Sequence, residues 1–559
     1  MNTQKYHDLC TSLFNAAERN RSVWERVVNK VMPEVVEASY LRDHDEDASS
    51  RNRLCTRARV DIRKLASAAM SYIFPMGHRW FRYTHWRRPK DAHQRLRDKA
   101  WFNAISQDSR SELERSNFYS AILKALLDWA SAGTGLLLTE MDDDKSLLVH
   151  THVPVGTFGL AADSYNNLTA VARKFLMTPA QIHEQFGYAA LTPKMQQDFE
   201  DVRSRFTKTH EVWHLVTPRY EHNGVHHGDV VPEQRPWVSV FLPANEQHIL
   251  WEGGYFEMPY TVIRFTAFGS QVFGSTPLLD VEDTIDDLMV AEDVAKIIGQ
   301  RSAIPSVVVP ADMADEVDLT AGGRTLVPQP YINAAVPREF APPSNYQLAL
   351  DNIARLQEEI DDATFVNVLQ IFSNSDRYMT ATEVTSREAE KIMTFSSAFM
   401  QMQSDFRIFA NRLFALMVRK GYIDLQDAPE DVLVRPDTHS EEAYIMPPKL
   451  AFIGRLSQAM ERVQTNGLQA FLGQHLQLMA ATQDPRYMSC IDPQALARGE
   501  AEKMGVDCDY LLDVDVENEQ LHQLEERQQM QQQAALAQQQ AAVEKDRAQA
   551  MNAAMQYQR

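Results

Sequence analysis

The residues best suited to chemistry gather in "HNGVHHGD", where His222, His226, His227 and Asp229 fall within eight residues. Imidazoles and a carboxylate at that density could hold a divalent cation. Gly224 and Gly228 mark the stretch as a hairpin tip, and histidines exposed on a turn account for it better than a metal site. The acidic "MDDDK" at 141–145 resembles half of a calcium loop but lacks the alternate spacing and the terminal glutamate, and reads as a solvated turn. No G-x-x-x-x-G-K-S/T loop, no G-x-G-x-x-G between strand and helix, no G-x-S-x-G elbow and no H-E-x-x-H pair occurs. The chain is therefore expected to work without catalytic residues, cofactor or metal.

Two basic stretches remain. "HRWFRYTHWRRPK", 78–90, interleaves His78, Arg79, Arg82, Arg87, Arg88 and Lys90 with Trp80, Phe81, Tyr83 and Trp86. That mixture suits nucleic-acid contact, but aromatics at alternating positions fit a half-buried strand better. "RYMTATEV", 377–384, sets Arg377 and Tyr378 before Thr380 and Glu383, a Thr-x-x-Glu capping box that predicts a sharp start to a long helix. The whole chain is acidic, with 76 Asp and Glu against 56 Lys and Arg and a net charge of −20. Such a balance excludes a binder that grips phosphates with a broad basic face, so contact with nucleic acid must be local or sliding.

The elements that would position these residues follow from periodicity. With 559 residues, 44% of them hydrophobic, the chain can bury a sizeable core in two to four regions. Cys10, Cys55, Cys490 and Cys508 have no CxxC spacing, which predicts neither a disulfide framework nor a zinc site and suits assembly in the cytoplasm. No export signal or membrane span is expected from the apolar runs. Residues 1 to about 135 read as helical, with Ile62, Leu65, Ala69 and Ile73 in one stripe that Pro75 stops, and with Gly133 and Gly135 closing a second helix. From 136 to 275 short runs such as "LLLTEM", "EVWHLVTP", "WVSVFLP" and "YTVIRFTAF" predict a β-rich region, interrupted by a helix near "TPAQIHEQFG".

"GSTPLLDVEDTIDDLMVAEDVAKIIGQ" then predicts a helix opened by Pro277. Leu278, Val281, Ile285, Leu288, Ala291, Ala295 and Ile298 form an apolar stripe, and Asp283, Asp286, Asp287 and Asp293 an acidic back. Neighbouring subunits packed around a wet centre would need such a helix; a surface helix on a monomer would also carry it. A proline-rich module occupies 303–345, and a second helix, "YQLALDNIARLQEEIDDATFVNVLQ", follows from 346. Residues 440–514 read as helical, and the Gln/Ala-rich end as either a bundled helix or a flexible tail. The fold class expected is α+β, mainly helical.

Four stretches in this order, "RARVDIRKLASAAMSYIFPMGHRWFRYT", "FYSAILKALLDWASAGTGLLL", "FGSTPLLDVEDTIDDLMVAEDVAKI" and "RYMTATEVTSREAEKI", resemble the head-to-tail connector, or portal, proteins of short-tailed bacteriophages. The resemblance covers most of the chain. It implies a homododecameric ring at one capsid vertex through which double-stranded DNA is packaged and ejected. The implied wing is 1–275 (β-rich from 136), with a long helix and wing return at 380–439. Stem helices fall at 276–302 and 346–369, a clip at 303–345, a channel loop at 370–379, and a crown or C-terminal barrel at 440–559. The loop would offer Ser373, Asn374, Ser375, Arg377 and Tyr378 to DNA. The stem would pack through Val281, Ile285, Leu288, Ala291, Ala295 and Ile298, turning Asp283, Asp286, Asp287 and Asp293 to the channel. Implied partners are further copies of the chain, the major capsid, scaffolding and internal core proteins, the terminase large subunit, and then tail adaptor or tail tube proteins. The alternatives are a capsid-associated scaffold without DNA passage and an enzyme built on the 222–229 histidines.

Overall fold

The computed structural model of the chain describes residues 3–35, 54–87, 92–142, 147–219, 231–303, 346–366, 381–434 and 444–453, with 306–308, 338–340 and scattered residues between 471 and 545. The fold is mixed α+β and mostly helical. One unit comprises residues 1–88 and 100–460, a second residues 89–99 and 461–559; every described residue of the second is helical.

Helix α1 (Thr3–Val23) runs into a π turn at Trp24–Val28 and a short helical turn at Asn29–Val31. Helix α2 (Thr56–Ile73) buries Ile62, Leu65, Ala69 and Ile73, the stripe predicted from spacing, and stops ahead of Pro75. After strand β1 (Phe81–Thr84) come helices α3 (Ala92–Arg115) and α4 (Phe118–Ala132). Gly133 closes α4 in the left-handed region at φ 79°, as its position predicts. Gly135 has a different task. It already belongs to β2 (Thr134–Asp142), and a Cβ there would lie 2.2 Å from the Ala125 carbonyl oxygen, so glycine lets the strand press against α4.

Strand β3 (Leu147–Val153) pairs antiparallel with β2, Leu136 opposite Val153. A five-stranded antiparallel sheet follows in the order β4 (Phe158–Ala162), β5 (Leu168–Met177), β6 (His210–Pro218), β7 (Trp237–Pro243), β8 (Trp251–Tyr255). Tyr6, Cys10 and Leu13 of α1 pack on one face of it, against Ala170, Ala172, Leu215, Val238, Val240 and Leu242. Between β5 and β6 lie α5 (Pro179–Phe186) and α6 (Pro193–Glu200). The first is opened by a capping box of Thr178 with Gln181. Strand β9 (Tyr260–Arg264) returns to β2 and is buried at all five positions, because β2 lies beside it and helices cover it.

A 3₁₀ turn at Pro277–Leu279 leads into α7 (Glu282–Ala303). Strands β10 (Ser306–Val308) and β11 (Arg338–Phe340) pair antiparallel, joining the two ends of the proline-rich module. Helix α8 (Tyr346–Ala363) then runs back along α7, with Thr284 Oγ1 donating to Glu359 at 3.2 Å. Helix α9 (Ala381–Arg419) spans 39 residues and is the long helix expected after Thr380. Thr380 and the side chain of Glu383, which carry the expected capping box, lie outside the described residues.

The stretch after 440 differs from its helical reading. Beyond β12 (Leu433–Val434), residues Tyr444–Ile445 form β13 and Lys449–Phe452 form β14, which pairs with β1 so that Phe81 faces Phe452. A four-residue strand is too short to show a period in a sequence window; its partner lies some 370 positions away, at the reach of tertiary contact alone. Rings from five segments meet there. Phe74 lies 5.0 Å from Trp80 and 5.0 Å from Phe406, and Phe118 and Phe452 pack on the same group.

Helix α9 is fixed to the sheets by a buried ion pair. The Arg264 backbone N–H and Nε donate to Asp405 Oδ2 at 2.9 and 3.1 Å, Nη2 donates to Oδ1, and both residues are almost fully enclosed. Removing one partner of such a pair strands the other charge in a low-dielectric site. Asp405→Ala is therefore expected to lower the unfolding free energy by about 3–5 kcal/mol, and Arg264→Met with Asp405→Leu to recover most of it, measured by urea unfolding.

Candidate assembly and channel site

Helix α7 carries the residues on which the assembly expectation rests, and its two faces differ. Val281, Ile285 and Leu288 are at most 4% exposed and Ala295 is 7% exposed. They are covered by the same chain: Val281, Ile285 and Leu288 share a core with Leu356 and Ile360 of α8, and Ala291 packs against its edge. Ile298 is half-buried. The stripe expected to join subunits is thus an internal contact of the subunit through most of its length. An apolar stripe read from one sequence identifies a buried face without saying which chain buries it.

The opposite face carries a second apolar row. Val290 is 62% exposed, Val294 46% and Ile297 48%. With Asp283 and Asp287 before them and Arg301 after them, they recur at alternating steps of four and three, the seam spacing of paired helices. At 100° per residue this row lies about 180° from Val281 and Ile285. Tyr346, Leu348 and Leu350 of α8 are exposed as well. The row was legible as a heptad and was masked by the stronger stripe behind it.

The acidic residues divide too. Asp283, Asp287 and Asp293 are exposed. Asp286 receives Lys30 Nζ at 2.7 Å, and Glu282 pairs with Arg26. The N-terminal segment thus clasps one flank of α7 by charge, and Asp286 serves this contact within the subunit.

Ser373, Asn374, Ser375, Arg377 and Tyr378 lie outside the described residues, as do His222, His226, His227 and Asp229. Among the described residues no group of three His, Cys, Asp or Glu is placed to hold a metal ion, and no helix is long and apolar enough to cross a membrane. The basic-aromatic stretch is structural in its aromatic part. Trp80, Phe81 and Tyr83 are buried, and Trp86 Nε1 donates to the Pro447 carbonyl at 2.8 Å, so these rings pack the core and pin the returning strand.

Buried titratable groups elsewhere in the sheets hold structure. His214 stacks on Phe241 at 4.1 Å between the Tyr260 and Ser239 hydroxyls, and burial drives its basicity well below the ordinary imidazole range. Burial likewise pushes His150 down to about 3, where it faces Thr139 Oγ1 at 3.1 Å.

Comparison with known proteins agrees with the ordered motifs. A family model described as bacteriophage head to tail connecting protein matches residues 5–512. The chain is 22% identical over 523 residues to the probable portal protein of Bordetella phage BPP-1, covering 92% of this chain and 90% of that protein. It is 22% identical over 457 residues to the portal protein of Salmonella phage epsilon15, covering 78% and 76%. Joining head to tail is a structural task rather than a catalytic one. With its ordered helical motifs and a match running through nearly its whole length, the chain belongs to the bacteriophage head to tail connecting protein family.

Proposed function

We propose that copies of this chain close into a ring of about twelve around a DNA channel, at the capsid vertex where head meets tail. The observation that carries this reading is the exposed heptad row Val290, Val294 and Ile297 on a helix whose other apolar face is already buried at home. A solvent-exposed apolar seam of that length is costly on a monomer and is satisfied by a neighbouring copy. In the ring, α7 and α8 are the stem, with outer bounds 276–302 and 346–369. Residues 303–345 are the clip, closed by β10 and β11, and 370–379 the channel loop. The wing comprises 1–275 and the return at 380–439, and 440–559 the crown or barrel. Asp283, Asp287 and Asp293 keep the bore acidic, so that DNA slides instead of sticking. Arg377 and its neighbours touch passing phosphates.

In this reading double-stranded DNA enters as genome is packaged and leaves on ejection. The ring assembles in the host cytoplasm with scaffolding, major capsid and internal core proteins. It presents its clip first to the terminase large subunit, which supplies the energy, and afterwards to tail adaptor or tail tube proteins.

Val290→Asp with Val294→Asp is expected to leave folded subunits that do not close into rings. Leu288→Asp is expected to destabilise the subunit itself by several kcal/mol, since its carboxylate would be buried in the subunit's own core. Native mass measurement alongside circular dichroism separates the two, and rings from the double variant would remove α7's outer face from the interface.

Arg377→Glu should leave ring yield intact but shorten or destabilise packaged DNA, because the reversed charge recurs in every copy within a Debye length of about 8 Å of the phosphates. The defect should weaken as salt rises. Normal DNA length with reduced ring yield would instead mean that Arg377 pairs with Asp376 or Glu383 and plays no part in the channel.

A further inference from the structure

The lower end of α8 is joined to α2 by four charged side chains. Arg57 of α2 donates from Nε to Asp361 Oδ1 of α8 at 2.6 Å and from Nη2 to the second oxygen. One turn further along α2, Asp61 has no exposed surface, and Lys64 Nζ donates to its Oδ1 at 3.1 Å. Asp61 Oδ2 lies 3.2 Å from Arg57 Nε yet receives no hydrogen bond from it, because those N–H groups are directed at Asp361. The two carboxyl groups therefore converge on one nitrogen, Asp361 Oδ1 at 2.6 Å and Asp61 Oδ2 at 3.2 Å from Arg57 Nε.

Two carboxylates crowded onto one guanidinium nitrogen repel, and a proton on one of them relieves the repulsion. We propose that Asp61 binds a proton in the folded subunit at mildly acidic pH and then donates a hydrogen bond to Asp361, making the joint between α2 and α8 a proton-dependent latch. The proton accounts for the otherwise unsatisfied Oδ2, leaving Arg57 to neutralise Asp361 alone. Burial, and then the contact with Asp361, pushes Asp61 up to about 6, against the opposing pull of Lys64 and Arg57. The other charges at the joint are Glu292 of α7, whose field together with that of Asp61 reaches Cys55 at the head of α2, and Arg59 and Arg63, both engaged with Glu34.

The latch sits where it can matter. Leu356, Ile360 and Val366 are buried around it, and Phe365 is held at φ 58°, an uncommon conformation for a bulky residue, with its ring 5.9 Å from Phe265. From there the chain leaves for residues 367–380. Loss of the Asp61 proton to solvent places two anions beside one guanidinium and weakens the hold on this terminus.

Since the folded value lies above the ordinary 3.8, the stabilising contribution is full below about pH 4, falls as pH rises through about 6, and is constant above about pH 7. The test is thermal and urea unfolding of the full chain from about pH 5 to about pH 7.5, comparing wild type with Asp61→Asn, which keeps a neutral donor. The wild-type folding constant should fall by up to about tenfold more per pH unit than that of the variant in the lower part of this window. Equal slopes would overturn the proposal. A second reading uses wild type alone: hydrogen exchange at 356–366, corrected for intrinsic rate, should lose protection over the same window while α9 does not. Constant protection at 356–366 would equally overturn it.

Discussion

Helix α7 has to satisfy two apolar faces at once, and one subunit can cover only one of them. The face holding Val281, Ile285 and Leu288 is buried against α8 and the rest of the core, whereas Val290, Val294 and Ile297 remain in solvent. Burying a valine or isoleucine side chain is worth about 1.5–3 kcal/mol, so covering these three residues with a partner surface would supply a substantial drive to association. The acidic residues on the same helix oppose random association and leave a preferred register, because like charges penalise any pairing that brings them together.

The α7–α8 pair is anchored to the N-terminal helices by ion pairs at its base. Arg26 and Lys30 hold the flank of α7 through Glu282 and Asp286, while Arg57 holds the end of α8 through Asp361. Both anchors come from the N-terminal helices, which also pack on the five-stranded sheet and meet the aromatic group around Phe74 and Trp80. The buried Arg264–Asp405 pair ties α9 to the same body. The position of α7 and α8 is therefore set by charge pairs at a joint, on top of an apolar core that joins the helices and sheets around them.

Much of this was legible in the sequence, and the exceptions have physical causes. The stripe in α2, the left-handed cap at Gly133, the strands around Trp237–Pro243 and the long α9 follow from local periodicity and capping, which one sequence displays. The β1–β14 pairing depends on contact across the whole chain and leaves no local period. The interface expected on Val281, Ile285 and Leu288 lies inside the subunit because an apolar stripe does not name its partner. The ion pairs at the joint between α2 and α8 could not be read from spacing, since Arg57 and Asp361 are 304 residues apart. The ordered motifs carried the family where no single residue did.

The central claim is that α7 meets a neighbouring copy through its outer face. A cysteine placed at Val294, with Cys10 and Cys55 buried and Cys490 and Cys508 changed to serine, can be coupled to a second cysteine at Leu350 of α8 by a short crosslinker in the purified full chain. The account predicts a ladder of crosslinked oligomers ending in a closed ring visible by electron microscopy, with a control cysteine at Tyr165 giving none. Rings that form without any crosslink at Val294, or a protein that stays monomeric at micromolar concentration, would contradict it.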